Sequence, residues 1–208
     1  MSDDRPLLLA TEADCTLRLA KALDADLSPL PRLDAEHTFE AWRDDILSGP
    51  TRSRVIACVW LSVAGPEELT RLDADQWRVR FERPYLLWNF VLGAAGRICR
   101  DDGAIVAVAQ APAALDAPGF TPELAISDGV LALVRSVAAA EGPRRVRANL
   151  VTTPIGLITG DLVAPAPPLD LFPGTIESHV AGAVRNFLSP DSIGLTGRAL
   201  AADGGRSL

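Results

Sequence analysis

The chain of 208 residues carries 20 basic and 27 acidic side chains, a net charge of −7, and is 48% hydrophobic and 23% charged. That size and balance suit one globular domain over residues 1–208, and the acidic excess argues against nucleic acid or an anionic membrane as partner, because phosphates must be met by clustered Lys and Arg. Cys15, Cys58 and Cys99 are too few and too widely spaced for a disulfide framework or a zinc site. The acidic start MSDDRPLLLA lacks a signal-peptide pattern, and no apolar run reaches the roughly 18 residues of a membrane span, so an untargeted cytoplasmic protein is expected.

Taken in chain order, RPLLLA (5–10) reads as a short buried strand, followed by a helix over 12–23 with Leu17, Leu19, Ala20 and Leu23 on its apolar positions. SPLPRLD is a proline-punctuated loop or edge strand, and AEHTFEAWRDDILSG an amphipathic helix closed by Gly49. RVIACVWLSVAG (54–65) is a β-branched apolar run that suits a strand buried on both faces of a parallel sheet. PEELTRLDADQW begins a polar connection, and a helix starts at Pro84 and runs through YLLWNFVLGAAGRICR. GAIVAVAQ (103–110) is another buried strand, after which Thr121 and Pro122 form an N-cap and N1 pair for a long helix to Glu141. RVRANLVTT is a strand, APAPPLDLFPG (164–174) a proline-rich loop, IESHVAGAVRNFLS a helix and GRALAAD a last strand. Alternating strands and helices predict an α/β fold: three layers around a doubly wound, mostly parallel, Rossmann-like sheet.

Several of these pieces carry a resemblance. LTGRALAADGG (195–205) is similar to the ITGQ-x-L-x-V-DGG tail of the short-chain dehydrogenase/reductase family, SVAG (62–65) to its NNAG, GAIV (103–106) to its G-x-I-V strand and RVRAN, ending at Asn149, to its I-R-V-N. AISDGVL (125–131) resembles its A-S-K-A-A-L helix, and Trp77 stands seven residues before the position of its active-site asparagine. The resemblance covers roughly 54–208 and, more weakly, 5–23.

It implies an NAD(P)-dependent oxidoreductase ancestry, in which a serine, a tyrosine and a lysine do the chemistry. The tyrosine passes a proton to or from the substrate oxygen, and the lysine lowers its pKa and holds the cofactor ribose; a phenol near pKa 10 needs such a cation to work near neutrality. Here the serine position is Gln110, the tyrosine Leu124, the lysine Asp128 and the asparagine Pro84. Tyr85 is the only tyrosine and Lys21 the only lysine, in the wrong order, so no Y-x-x-x-K exists in any register.

The cofactor position departs equally. A dinucleotide fold needs glycines where the first strand meets the first helix, so that backbone can approach the pyrophosphate. The first glycine of this chain is Gly49, and the family's three glycines fall at Ala10, Asp14 and Thr16. The short interval before RVIACVWLS implies loss of a strand and helix from the adenosine side, TTPIG disturbs the family's P-G, and its lid region is cut to the proline-rich loop. No cofactor and no catalytic residue are therefore expected.

Other chemistry is scarce. His37 and His179 lack a metal-ligand set, Asp44–Asp45 and Asp101–Asp102 read as solvated helix ends, and Trp60 and Trp88 as packing residues. On the 123–142 helix, Leu124, Leu131, Val134 and Ala138 form a stripe suited to the sheet, and Ile126, Val130, Leu133 and Val137 form a second. A surface helix needs only one apolar face. The 84–99 helix is apolar around much of its circumference, with Leu87, Trp88 and Val91 on it. In the resembled family these two helices pair with a second subunit.

The expectation is a non-catalytic homologue acting as a structural or regulatory subunit. It would form a homo- or hetero-oligomer through Ile126, Val130, Leu133, Val137, Leu87, Trp88 and Val91, its partner an active paralogue. The alternative is a sensor using a vestigial cleft near Ser62, Gln110 and Thr153. An active oxidoreductase in which Gln110 and Asp128 polarise the substrate is the third reading.

Overall fold

A computed structural model describes residues 5–61, 65–113, 116–157 and 174–206. Ser62 to Ala64 of SVAG and nearly all of the proline-rich loop lie outside these residues. Six strands form one parallel sheet: β1 (Leu7–Ala10), β2 (Asp26–Pro29), β3 (Arg52–Cys58), β4 (Cys99–Gln110), β5 (Arg147–Thr153) and β6 (Ala199–Ala201), in the order β2-β1-β3-β4-β5-β6. The usual doubly wound order places two strands outside β1. Among the described residues only β2 lies there, and the SPLP segment supplies it as an edge strand ending at Pro29, where a missing N–H costs least.

Helix α1 (Asp14–Leu23) packs with α6 (Ala181–Leu188) on one face, and α2 (Phe39–Ser48), α4 (Arg83–Ile98) and α5 (Thr121–Glu141) pack on the other. The strands divide their side chains by parity, as pleating dictates. Val55, Ala57 and Val59 enter the core under α4 and α5; Ile56, Cys58 and Trp60 enter the core under α1 and α6. These runs are apolar throughout because both faces are covered.

Two helix starts differ from the sequence reading. Helical backbone begins ten residues before Pro84, at α3 (Ala74–Trp77), and continues through a π-helical turn, Arg78–Glu82, into α4. Asp73 and Gln76 form a reciprocal capping box at its start, at 2.8 and 2.9 Å. Pro84 lies inside the run, where its ring would crowd the carbonyl of Arg80; the widened turn falls at that place. At α5 the N-cap is Phe120, not Thr121, and Pro122 falls within the first turn with no side-chain cap.

The apolar stripes of α5 and α4 are the larger correction. Ile126, Val130, Leu87, Trp88 and Val91 are all 3% exposed or less, within the core against β3, β4 and β5. They cannot form the outer stripe proposed for them. Leu133 and Val137 are half-buried against the same core, and Val137 packs on Gly96 of α4. Leu124, Leu131 and Ala138 are half-buried rather than central to the sheet contact. The true outward faces carry Val79, Leu86, Asn89 and Gly93 on the α4 side and Ala132, Ser136, Ala139 and Ala140 on α5.

Asp101 and Asp102 also differ from expectation. They open β4 rather than end a helix, and they pair with Arg144 and Arg145 at 2.8 and 2.7 Å. No helix is long and apolar enough to cross a membrane among the described residues.

Candidate functional site

In an open α/β sheet the ligand crevice lies outside the carboxyl ends of the strands where strand order reverses. Here that point is between β1 and β3. It is bridged by Thr11, whose hydroxyl accepts from the Trp60 N–H at 2.7 Å and donates to the Trp60 carbonyl at 2.9 Å. The turn entering α1 is closed on itself as well. Thr16, fully buried, shares its one hydroxyl proton between the carbonyls of Thr11 (2.7 Å) and Ala13 (2.8 Å) and accepts from the Ala13 N–H (3.1 Å). Threonine at this position satisfies the Ala13 N–H, a donor of the kind that a glycine turn leaves open to an anion.

Charge reinforces the closure. Glu12 and Asp14 are exposed at the mouth of the turn. Arg18, one helical turn on, is held by Glu177 at 2.7 and 2.8 Å, which ties α1 to the helix over 176–188. That guanidinium holds the Glu177 carboxyl down at about 2. Asp14 and Thr16, where the resemblance implies glycines, do not fit a dinucleotide pyrophosphate: one adds an exposed carboxylate at the start of α1 and the other fills the turn.

The space beside β4 is filled from the neighbouring strand ends. Trp60 extends from the end of β3 until its indole lies against Gly156, in the loop after β5; a Cβ on Gly156 would fall 3.2 Å from the ring and 2.9 Å from Nε2 of Gln110. Gln110, 5% exposed at the carboxyl end of β4, accepts from the Leu61 N–H at 2.7 Å. Its role is to hold neighbouring backbone. Thr153 is buried, and its hydroxyl accepts from the Ile155 N–H. Of the cleft residues named from sequence, Gln110 and Thr153 sit at adjacent strand ends; Ser62 lies outside the described residues.

On α5, Leu124 is half-buried and Asp128 is exposed, one turn apart, with no ion pair from Asp128 among the described residues. The buried acid is their neighbour Glu123, 2% exposed. Its Oε1 accepts from Nε (3.0 Å) and Nη2 (2.7 Å) of Arg80, itself 14% exposed, while Oε2 has no hydrogen bond. Gln110 and Glu123 share with Val59, Leu61, Trp88 and Ile126 a cavity of only about 10 Å³. That is the space of about one water molecule. Glu123 passed unnoticed in the sequence because an acid in a helix's first turn ordinarily answers the helix dipole.

The two residue types on which the family's chemistry depends are placed elsewhere. Lys21 is exposed in the last turn of α1. Tyr85 stacks on Phe81, with centroids 5.6 Å apart, and covers Gly129 of α5, where any Cβ would lie 2.5 Å from the ring. His179 accepts from the Thr175 N–H, and no metal-ligand cluster exists among the described residues. A second buried ion pair, Arg206 with Asp116 at 2.8 Å through two bonds, fastens the tail after β6 to the loop after β4.

No family model and no curated protein matches this sequence. Solved structures do match in shape. A short-chain dehydrogenase/reductase from Serratia marcescens superposes with a TM-score of 0.70 at 15% identity, covering 99% of this chain and 98% of its own. The fold is that of the short-chain dehydrogenases and reductases. A small-chain dehydrogenase gives a TM-score of 0.71 at 14% identity, covering 99% of this chain and all of its own (100%). A short-chain type dehydrogenase/reductase from Mycobacterium ulcerans gives 0.69 at 22%, covering 97% and 80%. The six-stranded parallel sheet with its two helical layers agrees with the sequence resemblance.

Proposed function

We propose that this chain is a non-catalytic relative of the short-chain dehydrogenases and reductases, serving as a structural or regulatory subunit beside an active member of that fold. The observation that supports the reading is the hydrogen bonding of Thr11 and Thr16 at the β1 end of the crevice, which engages backbone where a dinucleotide fold keeps an open glycine turn. A hydride carrier needs that crevice, and a proton donor of the tyrosine type needs a neighbouring cation. Leu124 and Asp128 supply neither the phenol nor the cation.

The partner-binding role rests on the outward faces of α4 and α5. Leu86 (40% exposed) and Val79 (53%) offer apolar contact, and the small side chains of Ala132, Ser136 and Ala139 allow a second helix pair to approach closely. The sensor reading draws less support, because the described space beside Gln110 is about 10 Å³.

The test is copurification of the tagged chain from its native host, with mass determination of the complex. The expected result is a stoichiometric oligomer containing a dehydrogenase of this fold, whose activity falls when the chain is removed. A chain recovered alone as a monomer, or one that reduces carbonyl substrates by itself, would overturn the reading.

A further inference from the structure

A large cavity opens at the opposite end of the sheet, beneath the amino ends of β1, β3, β4 and β5, with a volume of about 860 Å³. This end lies away from the crevice where the fold ordinarily holds its ligand. In a chain of net charge −7, four arginines (Arg54, Arg145, Arg147 and Arg185) line it against one carboxylate, Asp102. Asp102 is already engaged by Arg145 through two bonds.

Two of the cations have no carboxylate partner among the described residues. Arg147 donates to the carbonyls of Phe187 (2.7 Å), Ser189 (3.1 Å) and Ser192 (3.2 Å), capping the end of α6, and Arg185 donates to the Ala22 carbonyl. Those carbonyls offset Arg147 only in part, and burial holds its pKa below the ordinary arginine value. Leu23, Leu188 and Ile193 supply apolar wall, Ile193 being 83% exposed at the cavity. A cavity of this size with apolar walls and a few convergent charged groups has the character of a small-molecule site.

We propose that this cavity binds a single-headed organic anion, a carboxylate or phosphate monoester on an apolar body, with the head toward Arg147 and Arg185 and the body along Leu23, Leu188 and Ile193. The guanidinium forks match either headgroup, and the walls reward an alkyl chain. The site is separate from the crevice between β1 and β3 and stands whether or not the chain is catalytic.

The test is calorimetric titration of the full chain with decanoate, decyl phosphate and decanol. Either anion binds, and decanol binds at least roughly tenfold more weakly, the value of one lost charge-assisted hydrogen bond. Stronger binding of the decanoate or of the decyl phosphate identifies the headgroup. Arg185→Ala weakens anion binding by roughly tenfold while the chain stays folded. Ala138→Phe narrows the cavity and weakens binding. No binding of either anion, equal binding of decanol, or anion binding indifferent to both substitutions would overturn the proposal.

Discussion

Trp60 and Gly156 meet across the carboxyl ends of β3, β4 and β5, so that a Cβ on Gly156 would lie 3.2 Å from both Cζ2 and Nε1 of the indole. Gly156 also has φ +84°, a backbone conformation that side-chain-bearing residues rarely adopt. Gly156→Ala should therefore cost about 1–3 kcal/mol from backbone strain and from displacing Trp60 and Gln110. Urea denaturation measures it; an unchanged midpoint would mean that the ring does not pack there.

The Arg80–Glu123 pair is nearly dry, and truncating one partner leaves the other charge buried. Arg80→Ala should destabilise by about 3–5 kcal/mol, whereas Arg80→Met combined with Glu123→Leu should be near neutral. Equal losses for the single and double variants, measured by denaturant unfolding, would show that the pair itself does not set the cost.

Glu177 binds its proton less readily in the folded chain than in the unfolded one, because Arg18 holds the carboxylate. The stabilising contribution is thus fully present above the unfolded value near 4.5 and is lost as pH falls through about 2. An NMR titration should place the Glu177 midpoint near 2, and Arg18→Ala should return it toward 4.5. Because both side chains are exposed, the effect on global stability should be small.

Cys58 is buried and its pKa is pushed up; burial raises Cys99 to about 12 and Cys15 more modestly. The native chain should expose at most Cys15 to a thiol reagent near neutral pH, and denaturant should release all three. Rapid native labelling of Cys99 would contradict the packing around β4.

The outward faces of α4 and α5 can be separated from the core beneath them. Leu86→Asp with Ala132→Asp should reduce the complex to the mass of the single chain while leaving its melting temperature nearly unchanged. Val130→Asp, which places a charge in the core, should instead unfold the monomer. An assembly unaffected by the surface pair would reject these faces as the contact.

Much of the fold was legible because the strands are apolar runs covered on both faces, and the helices between them carry apolar residues at helical spacing, one of them closed by Gly49. RVIACVW and GAIVAVAQ could hardly be anything else. The α3 start falls in what the sequence suggests is a polar connection: the Asp73–Gln76 spacing marks it only weakly, and Pro84 offers a competing start. Which stripe of α5 faces the sheet was not readable: Ile126, Val130 and Val134 alternate with Leu124, Leu131 and Leu133 on a helix with little polar surface. Side-chain identity alone does not orient such a helix. The missing glycines and the absent Y-x-x-x-K were plain in the sequence. What replaces them was not, because the contacts of Thr11 with Trp60, Trp60 with Gly156 and Arg80 with Glu123 each join residues more than 40 positions apart.

The proposed loss of dinucleotide binding between β1 and β3 is open to calorimetric titration of the purified chain with NADH and NADPH. The prediction is no saturable heat with either cofactor at concentrations up to about 1 mM, where weaker association corresponds to less than roughly 4 kcal/mol. Saturable binding of either cofactor in the micromolar range would contradict it.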